Sequence, residues 1–356
     1  MKILIYLGHP AQYHFFKNIV KNLKKNHQVR YLIKTKEVLE ALLVGDGVEF
    51  KNILPAGRKS TKIGIIWGLV KREFKVLGEA FGFKPDIMLG TDPSVAHIGK
   101  LLGIPVLTVL EDDVDVIYDL AKITFPFSSH IIAPDSCDCG KWNPKKISYA
   151  GYMKLAYLHP KYFQYASSEN KKTALIRLSN LDAFHDIEMK GFDESLLKQV
   201  IKRLTGDFKV LLSSEKPLGT YFDEYLLRIN PNDIHKVLCK ASVLISDSQS
   251  MTMEAAMLGI PSIRYNDFVG RISVLEELEH KYKLTYGIKP YNPEKLIQTM
   301  ENLLSIPDLR EEFQKRRMKM LKDKIDVTMF FTWFIENYPE SVKTIKQNPD
   351  YQYSFK

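Results

Sequence analysis

Short apolar runs alternate with amphipathic segments along most of the chain, which is the pattern of an α/β protein. The first apolar run covers residues 2–7, and the amphipathic segment after it predicts a helix over 14–25. Apolar runs at 29–34 and 47–54 enclose a second helical segment at 35–43. This β-α-β-α-β order indicates a parallel, doubly wound sheet.

The alternation continues to about residue 133 and begins again near residue 173. A chain of 356 residues is longer than a single core usually spans, so we expect two domains. We place an N-terminal domain at residues 1–155 and a C-terminal domain at residues 166–324. The final residues, from Gln347 onward, are polar, and we expect them to be loose.

Composition places the chain among globular proteins, because hydrophobic residues make up 45% of it and charged residues 26%. The N-terminal apolar run is too short for a signal peptide and lacks a cleavage site, and no run is long enough to span a bilayer. The three cysteines cannot form a disulfide framework, and their spacing does not match a zinc knuckle. We therefore expect a cytoplasmic protein.

The net charge of +9 and the pI near 9.1 favour anionic partners. We expect no nucleic acid, because the lysines are scattered and no nucleic-acid motif is present. Residues 58–77 mix basic and apolar side chains. They are either a basic loop followed by a helix that packs on the sheet, or a patch that contacts an anionic membrane from the cytoplasmic side.

The most informative stretch is residues 238–266, which reads as a buried strand, a polar turn and a helix. The turn at 246–250 precedes a helix that Gly259 ends in the manner of a C-cap. Free N–H groups at such a helix start bind anions and suit a phosphate. Glu254, in the first turns of that helix, can accept hydrogen bonds from sugar hydroxyls. Considered by itself, the turn is explained equally well by an ordinary β-α-β crossover whose helix is well capped and binds no ligand.

Titratable side chains also follow three predicted strands of the N-terminal domain, and ligands of open α/β sheets bind at such strand ends. His9 and His14 follow the first strand, Asp92 the fourth and Glu111 the fifth. Asp92 is also explained as a simple N-cap, and the carboxylates from Glu111 onward also suit a metal ion. The first turn has a single glycine, which excludes the fingerprint of an NAD-binding site.

Three stretches carry a resemblance to a known family: KILIYLGHPAQYHFFKNIVKNL, FKPDIMLGTDPSVAHIGKLLGIPVLTVLEDD and DSQSMTMEAAMLGIPSIRYN. They resemble the DUF354 family of glycosyltransferase-like proteins, which are often associated with surface polysaccharides. The third stretch also resembles the donor motif of UDP-N-acetylglucosamine 2-epimerases and MurG-type transferases. The resemblance implies the GT-B fold, in which two Rossmann-like doubly wound domains face a cleft. It also implies that a C-terminal helix within residues 325–345 packs back on the first domain.

The resemblance further implies a set of residues that bind a nucleotide sugar. They are Ser248, Gln249, Ser250, Thr252, Glu254, Arg264, Arg177, Ser213, Ser214 and His185. The first four would hold the pyrophosphate, Glu254 the ribose hydroxyls, and Arg264 a phosphate. The relatives usually carry Gly-Gly or Gly-Ala where this chain has Ser-Gln-Ser, which changes how closely the backbone can approach a ligand. Asp92 and Glu111 fall where the epimerases have carboxylates. The arginine-rich first loop of the epimerases is absent, which argues against their reaction.

Sugar transfer needs a base for the acceptor hydroxyl and positive groups for the leaving diphosphate. His14 is the first candidate base, because a histidine pKa near about 6.5 suits proton removal at neutral pH. His9, Asp92 and Glu111 are the alternatives. Since GT-B enzymes generally need no metal, we expect no cofactor beyond a nucleotide sugar, with UDP as the expected nucleotide.

Three functions remain open at this point. The first is a glycosyltransferase that moves a sugar from a UDP-sugar to a surface polysaccharide or a lipid-linked acceptor. The second is a nucleotide-sugar 2-epimerase or hydrolase of the same fold. The third is a non-catalytic protein that binds a sugar nucleotide.

Overall fold

The computed structural model of the protein describes residues 1–35, 37–54, 62–164, 172–179 and 191–356, apart from the side chains of residues 37, 62, 63, 65 and 66. Its strands are, in chain order, β1 (Lys2–Leu7), β2 (Gln28–Lys34), β3 (Phe50–Leu54), β4 (Ile87–Leu89), β5 (Val106–Val109), β6 (His130–Pro134), β7 (Lys146–Tyr149), β8 (Thr173–Leu178), β9 (Lys209–Ser214), β10 (Val243–Ser246), β11 (Ser262–Tyr265) and β12 (Thr285–Ile288). Its helices are α1 (Pro10–Leu23), α2 (Glu37–Gly45), α3 (Lys62–Phe83), α4 (Pro93–Leu102), α5 (Tyr118–Thr124), α6 (Leu155–Leu158), α7 (Glu194–Leu204), α8 (Ile234–Lys240), α9 (Gln249–Leu258), α10 (Ser273–His280), α11 (Pro293–Leu304), α12 (Leu309–Asp323), α13 (Val327–Glu336) and α14 (Glu340–Gln347).

The chain divides into two compact units. Unit 1 comprises Met1–Tyr157 together with Ile325–Lys356, and unit 2 comprises Leu158–Lys324. Each unit contains one parallel sheet.

The sheet of unit 1 has the order β3-β2-β1-β4-β5-β6-β7. The strand order reverses between β1 and β4, which is the topological switch point where ligands of doubly wound folds bind. Gly90, just after β4, has a φ of 153°, and a Cβ there would lie 3.0 Å from the backbone oxygen of Tyr6. Glycine therefore allows β1 and β4 to meet closely at this point.

Helices cover both faces of this sheet, as right-handed crossovers on either side of a switch point require. On one face α3 packs against α4, and α4 against α5. Their core against the sheet includes Leu4, Val76, Met88 and Val95. On the other face α1 contacts α2 and α13.

The C-terminal helix α13 belongs to unit 1 because its aromatic side chains pack there. The Phe331 ring lies 4.9 Å from that of Phe15 on α1 and 5.1 Å from that of Tyr149 on β7, nearly perpendicular to both. The Thr328 hydroxyl donates to the Ala156 oxygen at 2.7 Å.

The expectation that the residues after Gln347 are loose is wrong. Pro349–Phe355 form a 3₁₀ helix. The ring of Trp333 lies 4.9 Å from that of Tyr351 and 5.3 Å from that of Phe355. The few aromatic residues of this polar segment dock on α13, and their burial outweighs the composition that predicted a loose end.

The sheet of unit 2 has the order β12-β11-β10-β8-β9, again all parallel. β12 and β7 were not predicted from sequence, because each has only four residues and a weak apolar pattern. The apolar run at 208–212 predicts a strand that ends at Leu212, whereas β9 continues to Ser214. The first helix begins at Pro10, not His14, because His9 acts as its N-cap and proline suits a first helical position.

The packing of α13 predicts the effect of shortening its side chains. Phe331→Ala should lower the free energy of unfolding by about 3–5 kcal/mol, because the fully buried ring leaves a cavity. Met329 on the same helix is 39% exposed, so Met329→Ala serves as the control and should change the free energy by less than about 1 kcal/mol. Urea unfolding of both variants measures the difference. Equal effects would contradict the docking of α13 through Phe331.

Candidate functional site

Four strands of unit 2 end with polar residues that stand in one row across the sheet. Arg264 on β11 pairs with Ser246 on β10, Ser246 with Arg177 on β8, and Arg177 with Ser213 on β9. Neighbours in parallel register point to the same face of a sheet. The carboxyl edge of β10, from which the polar turn at 246–250 departs, therefore lies at the centre of a polar row.

The turn leads into α9 through a well-formed cap. Ser248 is the N-cap, and its side-chain oxygen accepts from the Met251 N–H at 3.3 Å. The N–H groups of Gln249 and Ser250 are the remaining donors of the first turn, without a partner among the described residues. Ser248, Gln249 and Ser250 are all half-buried, so a ligand can reach them. The geometry is that of an anion site at a helix N-terminus.

Asp247 holds this turn from inside the protein. Its Oδ1 accepts from the N–H of Ser179 at 2.7 Å and from the Ser179 hydroxyl at 2.9 Å. Its backbone oxygen accepts from the side chain of Asn266 at 2.7 Å. The residue is 2% exposed, and this burial raises the pKa of its carboxyl group. Sequence analysis did not single out Asp247, because Asp after a strand is also a common turn residue.

Two predicted phosphate contacts do not hold in this structure. The Thr252 side chain is fully buried, and its hydroxyl donates to the Ser248 oxygen at 2.7 Å. Arg264 is also fully buried, and its guanidinium pairs with Glu276 at 3.2 Å. Burial lowers the pKa of Arg264, which Glu276 partly offsets. Thr252 therefore supports the start of α9, and Arg264 is engaged with Glu276 of α10.

Glu254 has a partner that the sequence did not reveal. Its Oε1 lies 3.3 Å from Nε2 of His235 on α8, and both side chains are only 9% exposed. The ring of Phe163 lies 6.2 Å from that of His235, nearly perpendicular to it. His235 is nineteen positions before Glu254, on a separate helix, so no local spacing predicts the pair.

Of the other residues predicted to bind the nucleotide sugar, some lie together in the structure and one lies outside the described residues. Arg177 donates from Nη1 to the Ser213 hydroxyl at 2.7 Å and pairs through Nη2 with Glu215. Ser214 accepts from the Lys216 N–H at 3.0 Å. The structure thus brings Arg177, on the strand next to β10, together with Ser213 on the edge strand β9. His185 lies outside the described residues.

In unit 1, Gln12 joins the turns that follow β1 and β4. Its Oε1 accepts from the Gly8 N–H at 2.7 Å, and its Nε2 donates to the Thr91 hydroxyl at 2.5 Å. His9, exposed in the same turn, accepts from the Ala11 N–H at 3.2 Å through Nδ1. Gln12 is a functional candidate that sequence analysis missed, since a glutamine in a first helical turn has no distinguishing pattern.

His14 lies in the second turn of α1, half-buried. Its imidazole stacks on the ring of Tyr157, with 5.2 Å between the ring centres. Near it, burial raises the pKa of the Asp46 carboxyl, but the hydrogen bonds from Lys17 and Tyr13 outweigh burial and lower that pKa overall.

Asp92 is the N-cap of α4 and accepts from the N–H of Ser94 at 3.0 Å. Its carboxylate also pairs with Arg72 of α3, at 3.2 Å. The Arg72 guanidinium is 6% exposed and the Asp92 carboxylate 12%, so the pair is largely removed from water. The capping interpretation of Asp92 therefore holds, with an added ion pair that the sequence did not predict.

Glu111 is held from two sides in the interior of unit 1. Its Oε1 accepts from the Met153 N–H at 2.5 Å, and its Oε2 pairs with Lys154 at 2.8 Å. Burial raises the pKa of Glu111, and Lys154 partly offsets that rise. Asp113 is also engaged, since its Oδ1 accepts from the Asp138 N–H at 2.8 Å. Among the described residues, no three His, Cys, Asp or Glu side chains form a group that could hold a metal ion.

Comparison with known proteins rests on structure alone, because no family model and no curated protein matches the chain. The chain is similar to S. aureus MnaA in complex with UDP, at 14% identity, with 96% of this chain and 98% of that one covered and a TM-score of 0.69. It is also similar to the UDP-GlcNAc 2-epimerase of Neisseria meningitidis bound to UDP-GlcNAc, at 14% identity, coverage of 98% and 100%, and a TM-score of 0.61. A third similar structure is the spinosyn rhamnosyltransferase SpnG with spinosyn aglycone, at 14% identity, coverage of 95% and 100%, and a TM-score of 0.60.

These similarities span nearly the whole of each chain and include both units. The chain has the GT-B fold with two Rossmann-like units, which confirms the fold class expected from the sequence.

The contacts of Glu111 predict that it stabilises unit 1 through its ion pair. Lys154→Met leaves a buried, unpaired carboxylate and should lower the free energy of unfolding by about 3–5 kcal/mol. The double variant Glu111→Leu/Lys154→Met removes both charges and should recover most of that loss. Urea unfolding tests both. A Lys154→Met protein as stable as the wild type would contradict this role.

Proposed function

We propose that the protein is a glycosyltransferase that moves a sugar from a UDP-linked donor to a surface polysaccharide or a lipid-linked acceptor. The observation that carries the proposal is the polar turn at 246–250, at the carboxyl edge of β10, which leads into a capped helix with accessible N–H donors. Support also comes from similar structures of the same fold, one solved with UDP and one with UDP-GlcNAc. The resemblance to the DUF354 family points to the same activity, and membership of that family stays a prediction.

In this proposal the donor diphosphate binds at the start of α9. The N–H groups of Gln249 and Ser250 and the hydroxyls of Ser248 and Ser250 supply the donors, and the helix dipole adds partial positive charge. The serines take the place of the glycines found in relatives, so hydroxyl contacts replace part of the close backbone approach. Arg177, beside the same edge, adds a positive charge near the diphosphate.

Glu254 would accept hydrogen bonds from the two ribose hydroxyls. A carboxylate accepts through both oxygens, and its bonds to hydroxyls are stronger than those between neutral groups. His235 contacts Oε1, which fixes the rotamer of the side chain before the nucleotide arrives. A fixed acceptor loses less side-chain entropy on binding.

The transfer step needs a base in addition to the donor site. The acceptor hydroxyl loses its proton, its oxygen bonds to the anomeric carbon, and the bond from that carbon to the diphosphate breaks, so that UDP leaves. We assign the base to a histidine of unit 1, His14 or His9. Asp92 and Glu111 are less suited, because each carboxylate already neutralises a buried cation. The helix N-terminus of α9 would stabilise the leaving diphosphate without a metal ion.

A 2-epimerase or hydrolase activity is the second candidate, favoured by the similarity to the Neisseria enzyme along the whole chain. Against it stands the first loop, where this chain has Gly8, His9 and Pro10 in place of an arginine-rich segment. Turnover distinguishes the two. Release of UDP only when an acceptor is present supports transfer, whereas release or isomerisation without an acceptor supports the second candidate.

The nucleotide contacts predict a specific pattern of affinities. Glu254→Ala should weaken UDP binding by about 10–100-fold, the value of hydrogen bonds to a charged group. The same substitution should leave the affinity for 2′,3′-dideoxy-UDP nearly unchanged, because that nucleotide lacks both hydroxyls. His235→Ala should follow the same pattern with a smaller loss, since it acts through Glu254.

Isothermal titration of the two nucleotides measures these affinities, with Glu301→Ala, an exposed carboxylate of unit 2, as the control. Unchanged UDP affinity in the Glu254 variant would refute the ribose assignment. An equal loss for both nucleotides in the His235 variant would show a general structural effect.

The base assignment predicts that turnover and binding separate. His14→Ala should leave UDP affinity within about twofold of the wild type and lower kcat by about 100-fold or more, the contribution of a general base. His9→Ala, compared in parallel, shows which histidine acts. A proton-transfer role also predicts loss of the acid limb of the pH–rate profile in the affected variant. Full turnover in both variants would contradict a histidine base.

A further inference from the structure

Helix α3 of unit 1 carries aromatic side chains on its outer face as well as apolar residues on its inner face. The inner face includes Val76 and Ala80, both essentially buried against the sheet. On the outer face Trp67 is 62% exposed, Phe74 70% and Phe81 62%. A helix on the surface of a water-soluble protein normally has polar residues on the side that faces the solvent.

These three rings form a regular stripe. They recur at intervals of seven residues, which is about two helical turns, so they point to nearly the same side of the helix. From Trp67 to Phe81 the stripe extends for roughly 21 Å along the axis. Lys71, which is exposed, lies between the rings on the same face, and Lys75, also exposed, flanks that face about one quarter of a turn away. We call this set the α3 stripe: Trp67, Lys71, Phe74, Lys75 and Phe81.

The acidic residues of α3 do not pair with the lysines of the stripe in this structure, because each contacts a side chain of another element. Glu73 contacts His97 of α4 at 2.5 Å. Glu79 pairs with Arg30 at 3.3 Å and also with Lys51. The outward charge of the α3 stripe is therefore positive, in a chain whose net charge is +9.

The layer of helices next to α3 adds further exposed apolar side chains. Leu101 at the end of α4 is 70% exposed, and Ile123 and Phe127 in and after α5 are 42% and 41% exposed. His97 connects the three helices, since its second ring nitrogen contacts the Ile123 oxygen at 2.7 Å. Several exposed apolar side chains on one layer of helices are typical of an interaction site.

We propose that the α3 stripe binds the surface of an anionic lipid bilayer. Aromatic rings enter the boundary between headgroups and acyl chains, while lysines beside them contact anionic headgroups, which is the pattern of an interfacial helix. Charge complementarity favours this occupant over a second copy of the chain, because two such stripes would bring four lysines together. No described helix is long and apolar enough to cross a bilayer, so the contact would be peripheral.

The residues first considered for membrane contact were 58–77, and the stripe changes that assignment. Residues 58–61 lie outside the described part of the chain, as do the side chains of residues 62, 63, 65 and 66. The surface instead extends along α3 to Phe81. The membrane proposal rests on the proposed function in one respect. If the protein is a glycosyltransferase, attachment to a bilayer through this surface would favour the lipid-linked acceptor over a free polysaccharide.

Vesicle cosedimentation tests the proposal without any nucleotide, so its outcome is separate from that of the transferase assignment. The wild-type protein should sediment with vesicles of phosphatidylglycerol and phosphatidylcholine, and much less with phosphatidylcholine alone. Trp67→Ser/Phe74→Ser/Phe81→Ser should lower the affinity by more than about tenfold. Tyr291→Ser/Met318→Ser, which removes exposed apolar residues of unit 2, is the matched control and should bind as the wild type does.

The charge contribution is tested in the same assay. Lys71→Glu/Lys75→Glu should also weaken binding by more than about tenfold, since each lysine near an anionic surface contributes several-fold. Lys319→Glu/Lys322→Glu on α12 applies the same change of charge elsewhere and should have a smaller effect. Thermal unfolding confirms that each variant is folded. The proposal would be overturned if the folded aromatic variant bound vesicles as tightly as the wild type does. It would also be overturned if the wild-type protein did not bind vesicles. A wild-type dimer that the aromatic variant dissociates would then show that the stripe binds a second copy of the chain.

Discussion

The buried carboxylate of Asp247 is the interaction on which the candidate donor site depends. It lies one residue after β10, accepts two hydrogen bonds from Ser179 at the end of β8, and is removed from water. A buried carboxylate that lost these bonds would carry a large desolvation cost, so the bonds stabilise the observed conformation of the turn. That conformation places Ser248 as the cap of α9 and leaves the next N–H groups exposed to a ligand.

The two units of the chain use charged groups in different ways. In unit 1 the carboxylates at the strand ends are engaged by cations of the protein, Asp92 by Arg72 and Glu111 by Lys154. In unit 2 the strand ends keep hydroxyls and N–H donors accessible, and the fully buried Arg264 is held by Glu276. Unit 2 is therefore suited to hold an anion, and the histidines of unit 1 are the groups better suited to exchange a proton at neutral pH.

The alternation of apolar runs was sufficient to predict a doubly wound α/β chain, and the similar structures confirm the GT-B fold. The strand-to-helix turn at 246–250 was also predictable, because a polar turn between a buried strand and a Gly-capped helix has a local pattern. The pairs Asp92–Arg72, Glu111–Lys154 and Glu254–His235 were not predictable, since each joins separate elements and depends on tertiary packing. The buried positions of Thr252 and Arg264 likewise follow from packing on neighbouring elements, which a motif does not specify.

The most direct test of the donor site is a crystal structure of the protein with UDP. The account predicts that the diphosphate lies within hydrogen-bond distance of the Gln249 and Ser250 N–H groups, and that the ribose hydroxyls contact Glu254. UDP bound at another place, or with its ribose away from Glu254, would contradict it.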